Sequence, residues 1–194
     1  MFILLLLALA VIALAAGGTA AGELLRYQRD AILARHEYWR LLSGHLVHGG
    51  WQHTWLNLAG LLLMVSLFRG TYTLGQWLLI VAVSTLCLDL GLLLLMPGLH
   101  WYVGLSGILH GVLAAGALAW WRSEDVWLAG ILSAVLLCKL IWEQWQGALP
   151  LSGELNVIVN AHLYGAIGGV LGALPFMRKL NRFNLAAEPD KNLK

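Results

Sequence analysis

Six stretches of the chain are almost continuously apolar, and polar positions collect between them and at their beginnings. Crossing the hydrocarbon part of a bilayer takes about 20 apolar residues, within a range of roughly 17 to 25. The six stretches, which we number segments 1 to 6, cover residues 2–18, 52–68, 74–96, 104–121, 126–145 and 157–177. A long first loop (19–50) and a basic tail (178–194) complete the pattern. Because a bilayer admits only helices and closed barrels, the pattern predicts an all-α integral membrane bundle of six transmembrane helices.

Composition agrees with a membrane protein. The 194 residues are 60% hydrophobic and 11% charged, whereas soluble domains carry about 25% charged residues. The formal net charge of +2 gives no support to nucleic-acid binding, so the expected surroundings are a lipid bilayer. No basic residue precedes segment 1, which favours a retained helix over a cleaved signal peptide. Cys87 and Cys138 lie in apolar stretches and do not indicate a disulfide framework.

The positions of lysine and arginine predict the orientation in the membrane. The tail and the loops after segments 2 and 4 carry basic residues, whereas the loops after segments 3 and 5 carry none. By the positive-inside rule, both termini and the basic loops lie in the cytoplasm. The first loop disagrees, because it would lie outside with four arginines, which are Arg26, Arg29, Arg35 and Arg40. The majority of the loops decides the predicted orientation.

Segments 2, 4 and 6 then run from the outer face inward, and each carries polar side chains in its first turns. These side chains are His53 and Asn57 in segment 2, Ser106 and His110 in segment 4, and His162 in segment 6. With a rise of about 1.5 Å per residue, all lie within roughly 10 Å of the outer ends of their helices. Polar side chains inside a membrane are costly and by default mark function. Their common depth predicts a single site.

Small residues predict how closely segments 4 and 6 approach each other. Two pairs of glycines are spaced four residues apart, Gly107 with Gly111 in segment 4 and Gly165 with Gly169 in segment 6. Such pairs allow two helix backbones to come into close contact. We therefore expect the hydroxyl group of Ser106 to lie within hydrogen-bond reach of the imidazole of His162.

A serine beside a histidine is the arrangement used in nucleophilic acyl transfer. An imidazole with a pKa of about 6.5 can remove the proton of the Ser106 hydroxyl, and preplaced donors stabilise the oxyanion that follows. The candidate donors are the backbone N–H of Ser106 and the side chains of His53 and Asn57. No carboxylate is evident near His162 in the sequence, so we predict a Ser–His dyad. This chemistry needs no metal and no cofactor.

At these positions the chain resembles the rhomboid family of intramembrane serine proteases. The resemblance is carried by three motifs, which are Gly104-Leu-Ser106-Gly107 (G-x-S-G), Ala161-His162-x-x-Gly165-x-x-x-Gly169 (A-H-x-x-G-x-x-x-G), and Trp39-Arg40 followed by His48, His53 and Asn57 (H-x4-H-x3-N). It implies a six-helix core around a water-filled cavity that opens to the outside. It also implies Ser106 as nucleophile, His162 as general base, and His53 and Asn57 as oxyanion donors.

The stretches Gly104–Gly111 and Trp39–His48 resemble the rhombosortase subfamily in particular. This resemblance implies a multi-pass protein of the bacterial inner membrane with an active site that faces the periplasm. The implied partner is an exported single-pass protein with a C-terminal Gly-Gly-type motif, a hydrophobic helix and a basic tail. Either water or an amine would then release the acyl group from Ser106.

One position departs from the pattern of many rhomboids, which have a tyrosine four residues after the serine. Here His110 occupies that position. Two roles stay open for His110: contact with His162 by stacking or hydrogen bonding, or simple packing. The remaining candidate supporting residues are His48, Gly104 and Gly107.

Four further polar residues have structural expectations. Lys139 and Glu143 are four residues apart in segment 5 and are expected to neutralise each other. They are also candidate substrate contacts, because the resemblance to the rhomboid family implies that this helix flanks the substrate entrance. Asp89 in segment 3 is expected to make a structural hydrogen bond. His45, with His48, is expected to hold the first loop against segment 2.

Two other functions compete with proteolysis. The first is a metal or haem membrane protein whose ligands would be five histidines, at positions 45, 48, 53, 110 and 162. It leaves Ser106 and its neighbouring glycines without a role. The second is an inactive rhomboid-like protein that binds membrane clients. Such proteins typically lack the serine or the histidine, and both are present in this chain.

Overall fold

A computed structural model describes residues 2–122, 126–148 and 157–177. The predicted basic tail, 178–194, lies outside the described residues. Within them the chain forms helices and one pair of very short strands. In chain order these are α1 (Phe2–Ala16), α2 (Gly18–Leu25), β1 (Tyr27–Gln28), α3 (Arg29–Arg35), α4 (Arg40–Ser43), α5 (Trp51–Leu67), α6 (Leu74–Leu95), β2 (Trp101–Tyr102), α7 (Ser106–Trp120), α8 (Val126–Gln146) and α9 (Val159–Met177).

Long helices occupy all six of the apolar segments. Among the described residues, α6 and α8 are each long and apolar enough to cross a membrane. Helices α1 and α2 form a third candidate if they count as one span, although the chain bends by 113° between them. Helix α7 is apolar but shorter, at 15 residues. The protein is therefore a helical membrane protein, and the count of six crossings stays a prediction.

Much of the region 19–50, expected as a loop, has regular structure. It contains most of α2, all of α3 and α4, and strand β1, which pairs antiparallel with β2 so that Tyr27 faces Tyr102. The side chains of Tyr27 and Ile32 are buried in one cluster with Leu88 and Leu92 of α6. These apolar anchors are scattered among charged residues, so no period of membrane length reveals them in the sequence.

Arg40 links separate parts of the region 19–50 by hydrogen bonds. Its side chain is buried, and its Nη1 donates to the backbone carbonyls of Glu23 at 3.1 Å and Arg26 at 3.0 Å. Its Nε donates to the carboxylate of Glu37 at 2.5 Å. A guanidinium that is satisfied in this way serves the fold of the region. Its charge is therefore weak evidence about which side of the membrane the region occupies.

Helix α9 packs closely against both α6 and α7 because glycines line its contacts. A Cβ atom on Gly168 would lie 2.6 Å from the Cα of Ser84 in α6, and one on Gly111 of α7 would lie 2.6 Å from the carbonyl oxygen of Gly165. The Oγ of Ser84 donates to that same carbonyl of Gly165 at 2.8 Å. This contact brings the first turns of α7 and α9 together.

Two loop histidines anchor the first loop in different ways. The Nε2 of His45 lies 3.1 Å from Oδ1 of Asp89, and both side chains are buried. Asp89 thus makes the expected structural hydrogen bond, but the expectation for His45 was wrong, since it pairs with α6 instead of the second segment. The ring of His48 does contact α5, edge-on to His53 with centroids 5.0 Å apart.

The burial of His48 predicts a loss of stability in acid. Burial, with a smaller contribution from His53, lowers the pKa of His48 to about 4, whereas an unfolded histidine has a pKa of about 6.5. The unfolded chain therefore binds a proton more readily, and stability falls as the pH drops from about 6.5 towards about 4. The melting temperature in detergent should decrease less between pH 7.5 and pH 5 for His48→Gln than for the wild type. Equal decreases in melting temperature for the two proteins would contradict the assignment of this acid sensitivity to His48.

Candidate active site

Ser106 is the first residue of α7, and a tightly held turn precedes it. Gly104 has a φ of 120°, a conformation that side chains rarely adopt. Its N–H donates to the carbonyl of Gly44 at 3.0 Å, and its own carbonyl accepts from the hydroxyl of Tyr102 at 2.7 Å. A Cβ atom at this position would also lie 2.7 Å from the His53 ring. Both the backbone and the lack of space therefore require glycine.

Ser106 and His162 meet as their helices meet. The Oγ of Ser106 lies 2.9 Å from Nε2 of His162. His162 stands in the first turn of α9 and is 5% exposed, so its ring is largely shielded from bulk water. The spacing is that of a hydroxyl donating its hydrogen to an imidazole nitrogen, which is the first requirement for a base acting on a nucleophile.

A carboxylate lies on the far side of the His162 ring. Oε2 of Glu143, from α8, is 2.9 Å from Nδ1 of His162, and Glu143 is only 2% exposed. The expectation that no carboxylate lies near His162 was therefore wrong. Because the carboxylate can only accept, Nδ1 carries the proton and Nε2 is left free to accept from Ser106.

Lys139 completes a row of four side chains. Its Nζ donates to Oε1 of Glu143 at 2.5 Å, the expected pairing within one helix, and lies 3.3 Å from Nδ1 of His162. Glu143 therefore uses one oxygen for the lysine and the other for the histidine. The possible contact of Lys139 and Glu143 with a substrate stays a prediction.

His110 stacks on His162, which decides between the roles left open for it. The two ring centroids are 4.1 Å apart and the ring planes are inclined by only 14°. The Nδ1 of His110 is 2.7 Å from the backbone carbonyl of Ser106 and donates to it. His110 thus covers one face of the His162 ring and holds a fixed position relative to the serine.

Removing this stacked ring is expected to reduce turnover. His110→Ala should lower the rate of acyl transfer to Ser106 by about 10-fold, because His162 gains freedom to leave the orientation that faces Ser106. His110→Phe, which keeps a stacking ring but loses the hydrogen bond, should retain more activity than the alanine variant. Initial rates of purified variants with matched melting temperatures test this order. A fully active alanine variant would contradict the positioning role.

The predicted oxyanion donors all have a hydrogen to offer. The Nδ1 of His53 accepts from the N–H of Gly49 at 3.3 Å, so a neutral His53 carries its proton on Nε2, the nitrogen beside Gly104. The amide nitrogen of Asn57 donates one hydrogen to the backbone carbonyl of His53 at 3.0 Å and keeps a second. The N–H of Ser106, at the start of α7, has no intrahelical acceptor.

A cavity of about 300 Å³ adjoins these side chains. Its polar lining consists of His53, Asn57, Ser106, His110, Lys139, Glu143 and His162, and its apolar lining includes Leu56, Met64, Leu109 and Leu113. The other candidates lie next to this lining. Gly104 supports His53, His48 packs on the same ring, and a Cβ atom on Gly107 would lie 2.9 Å from the carbonyl oxygen of Ala161. The fold thus gathers the predicted site residues around one cavity.

Three of these side chains also match metal ligands in type. His110, Glu143 and His162 each offer an atom, and these atoms lie within 4.8 Å of one another. The five histidines proposed as metal ligands do not gather in this way, because His45 pairs with Asp89. The ammonium group of Lys139, 3.3 Å from His162, would repel a cation bound between these ligands. The arrangement favours proton transfer over metal binding.

Sequence reasoning missed the contact between Glu143 and His162. The available signal was a charged pair in the middle of an apolar segment, since ionisable residues in a membrane face the interior and find partners there. The spacing of Lys139 and Glu143 explained each by the other. It did not show which neighbouring helix the glutamate faces.

Comparison with known proteins supports what the geometry indicates. The sequence profile of the Rhomboid domain matches residues 35–179, more than half of the chain and every site residue described above. A search of curated proteins gives no match. The chain therefore belongs to the rhomboid family of intramembrane serine proteases.

Proposed function

We propose that this protein is an intramembrane serine endopeptidase that cleaves exported single-pass proteins near a C-terminal Gly-Gly-type membrane anchor. The observation that carries the proposal is the 2.9 Å contact between Oγ of Ser106 and Nε2 of His162 inside an apolar helical bundle. The resemblance to the rhombosortase subfamily supplies the class of substrate.

The reaction begins with Ser106. Its Oγ attacks the scissile carbonyl while Nε2 of His162 takes the hydroxyl proton. The backbone N–H of Ser106 and the side chains of His53 and Asn57 donate to the resulting oxyanion. When the tetrahedral intermediate collapses, the C–N bond breaks and His162 returns its proton to the departing amine. The products are the membrane anchor, which now has a new amino terminus, and an acyl ester on Ser106.

The acyl ester is released by a second nucleophile. Water, deprotonated by His162, gives a free carboxylate, whereas an amine gives an amide. Both steps use the same residues and restore the Ser106 hydroxyl. The mass of the new carboxyl terminus of the product distinguishes the two routes.

A substrate whose cleavage site consists of glycines suits a cavity that lies within the helical bundle. The carbonyl groups of a transmembrane helix are hydrogen-bonded, so the helix must unwind before a carbonyl can reach Ser106. Each glycine weakens a helix by about 1 kcal/mol relative to alanine. A Gly-Gly pair also brings no side chain into a cavity of about 300 Å³.

The proposed location is the bacterial inner membrane, with the site open to the periplasm. Ser106 begins α7, and Arg122 follows the end of that helix, so the two lie at opposite ends of the bundle. Arg122 and Arg69 line a second cavity of about 430 Å³ at the end away from the serine. By the positive-inside rule this end is cytoplasmic.

Co-expression with a reporter tests the substrate class. The reporter carries a Gly-Gly-type motif, a hydrophobic helix and a basic tail, and the matched control replaces Gly-Gly by Leu-Leu. We expect loss of the anchor from the first reporter and little or no cleavage of the second. Equal cleavage of both would remove the Gly-Gly requirement, and retention without cleavage would favour a protein that only binds clients.

The ligand types of His110, Glu143 and His162 define a second candidate, a metal-dependent membrane protein, although the ammonium of Lys139 opposes a cation there. Treatment of the purified enzyme with a chelator separates the two. The serine mechanism predicts an unchanged rate of reporter cleavage. A rate that is lost with the chelator and restored by a divalent metal would favour the second candidate.

A further inference from the structure

We propose that Glu143 is a positioning residue for His162, so that the site works as a Ser106–His162–Glu143 triad whose carboxylate is held by Lys139. This inference rests on the proposed function, since it assigns a role within the same reaction. It adds a positioning residue from α8 to a nucleophile, a base and oxyanion donors that the sequence motifs place in α5, α7 and α9.

The geometry forms a continuous row across three helices. Oγ of Ser106 is 2.9 Å from Nε2 of His162, and Nδ1 of the same ring is 2.9 Å from Oε2 of Glu143. The second carboxylate oxygen, Oε1, is 2.5 Å from Nζ of Lys139. Each oxygen of Glu143 thus has its own partner, and the His162 ring is held at both nitrogens.

The burial of Glu143 indicates that the pairing with Lys139 alone does not account for its position. The glutamate is 2% exposed, whereas 26% of the lysine side chain is exposed. A buried carboxylate is tolerated when its remaining lone pairs are hydrogen-bonded, and here His162 provides the second bond. A glutamate that served only as the partner of Lys139 could point to the more exposed side of α8 with the lysine.

The two charges on α8 have opposite effects on the reaction. His162 becomes an imidazolium when it takes the proton from Ser106, and the adjacent carboxylate of Glu143 stabilises that positive charge. The ammonium of Lys139, 3.3 Å from Nδ1, opposes it. Lys139 therefore assists only by fixing the direction of the carboxylate, and its removal should cost much less activity than removal of the carboxylate.

The alternative is that Lys139 and Glu143 form an ion pair that only supports folding. Four variants at these two positions distinguish the roles: Lys139→Met, Glu143→Gln, Glu143→Asp and the double variant Lys139→Met/Glu143→Gln. The double variant removes both charges and leaves neither buried alone, so it should fold even if Glu143→Gln does not. The neighbouring residue Gln144 is exposed, and the single variant Gln144→Glu is a matched control. Exchanging the two residues, as Glu143→Gln/Gln144→Glu, keeps the charge of α8 but moves the carboxylate away from His162.

The experiment makes two kinds of measurement on purified full-length variants in detergent. One is the rate of covalent labelling of Ser106 by a fluorophosphonate, which reports activation of the serine without any peptide substrate. The other is the determination of kcat and KM for cleavage of the Gly-Gly reporter.

We expect Glu143→Gln, the double variant and the exchange variant to lose about 100-fold or more in labelling rate and in kcat, with little change in KM. Glu143→Asp should recover part of the loss, and Lys139→Met and Gln144→Glu should stay within about 10-fold of the wild type.

The outcomes separate failure of this inference from failure of the proposed function. If the wild type labels at Ser106 and the double variant labels equally fast, the triad is wrong although the serine mechanism stands. Full recovery in the exchange variant would also overturn it, because the effect would then be one of net charge. If the wild type neither labels nor cleaves while correctly folded, the proposed function itself fails.

Discussion

Replacing Ser106 by alanine is expected to abolish cleavage of the reporter and labelling by a fluorophosphonate. Without Oγ no acyl ester forms, and in serine proteases loss of the nucleophile costs on the order of 10⁶-fold in kcat. His162→Ala should have an effect of similar size, because serine and base act as one unit and their losses are not additive. The combined variant Ser106→Ala/His162→Ala should therefore have a kcat no lower than that of either single variant.

Cleavage in membranes, followed by immunoblotting at equal protein levels, measures this result. Ser66→Ala is the matched control, since Ser66 is another helical serine whose hydroxyl donates to the backbone carbonyl of Leu62 at 2.8 Å. It should cleave as the wild type does. Persistent cleavage by Ser106→Ala would disprove the serine mechanism and would favour the metal-dependent candidate with His110, Glu143 and His162 as ligands.

Replacing Gly165 by alanine is expected to have the second largest effect, although the residue takes no part in the chemistry. A Cβ atom there would lie 2.6 Å from the carbonyl carbon of Gly107, and backbone atoms cannot move aside as a side chain can. Helices α7 and α9 must then separate, which moves Ser106 from His162. We expect a loss of about 100-fold or more in kcat, since small misplacements of catalytic groups are costly. Overpacking should also lower stability by about 1–3 kcal/mol.

The melting temperature and the rate of fluorophosphonate labelling, measured side by side, test this expectation. Gly75→Ala in α6 is the matched control, because a Cβ atom there would have no neighbour within 4 Å. An alanine at an open helical position should leave activity unchanged and stability equal or slightly higher. If Gly165→Ala retained wild-type activity, the close contact of α7 and α9 would not control the distance between serine and base.

The prediction that Ser106 and His162 meet succeeded because backbone contact follows from short-range spacing. Glycines four residues apart form a flat strip on any helix, and two such strips can pack with their residues in register. The serine and the histidine each stand just before a strip, so the register of the glycines also aligns the side chains.

The first loop was harder to predict because its structure depends on partners far along the chain. Strand β1 needs Trp101–Tyr102, and His45 needs Asp89. Nothing near Tyr27 or His45 in sequence indicates these partners. Short helices such as α4, with four residues, are also too brief to show a helical period.

By itself, the sequence indicated the membrane environment, the apolar segments and the close approach of Ser106 to His162. These features depend on local quantities: hydropathy over about 20 residues, and the spacing of polar and small residues along one helix. Tertiary structure decided which face of α8 meets α9, and therefore that Glu143 reaches His162 at 2.9 Å. It also decided that His110 stacks on that ring. Contacts of this kind depend on the rotation of one helix about its axis relative to another, which the spacing within a single helix does not specify.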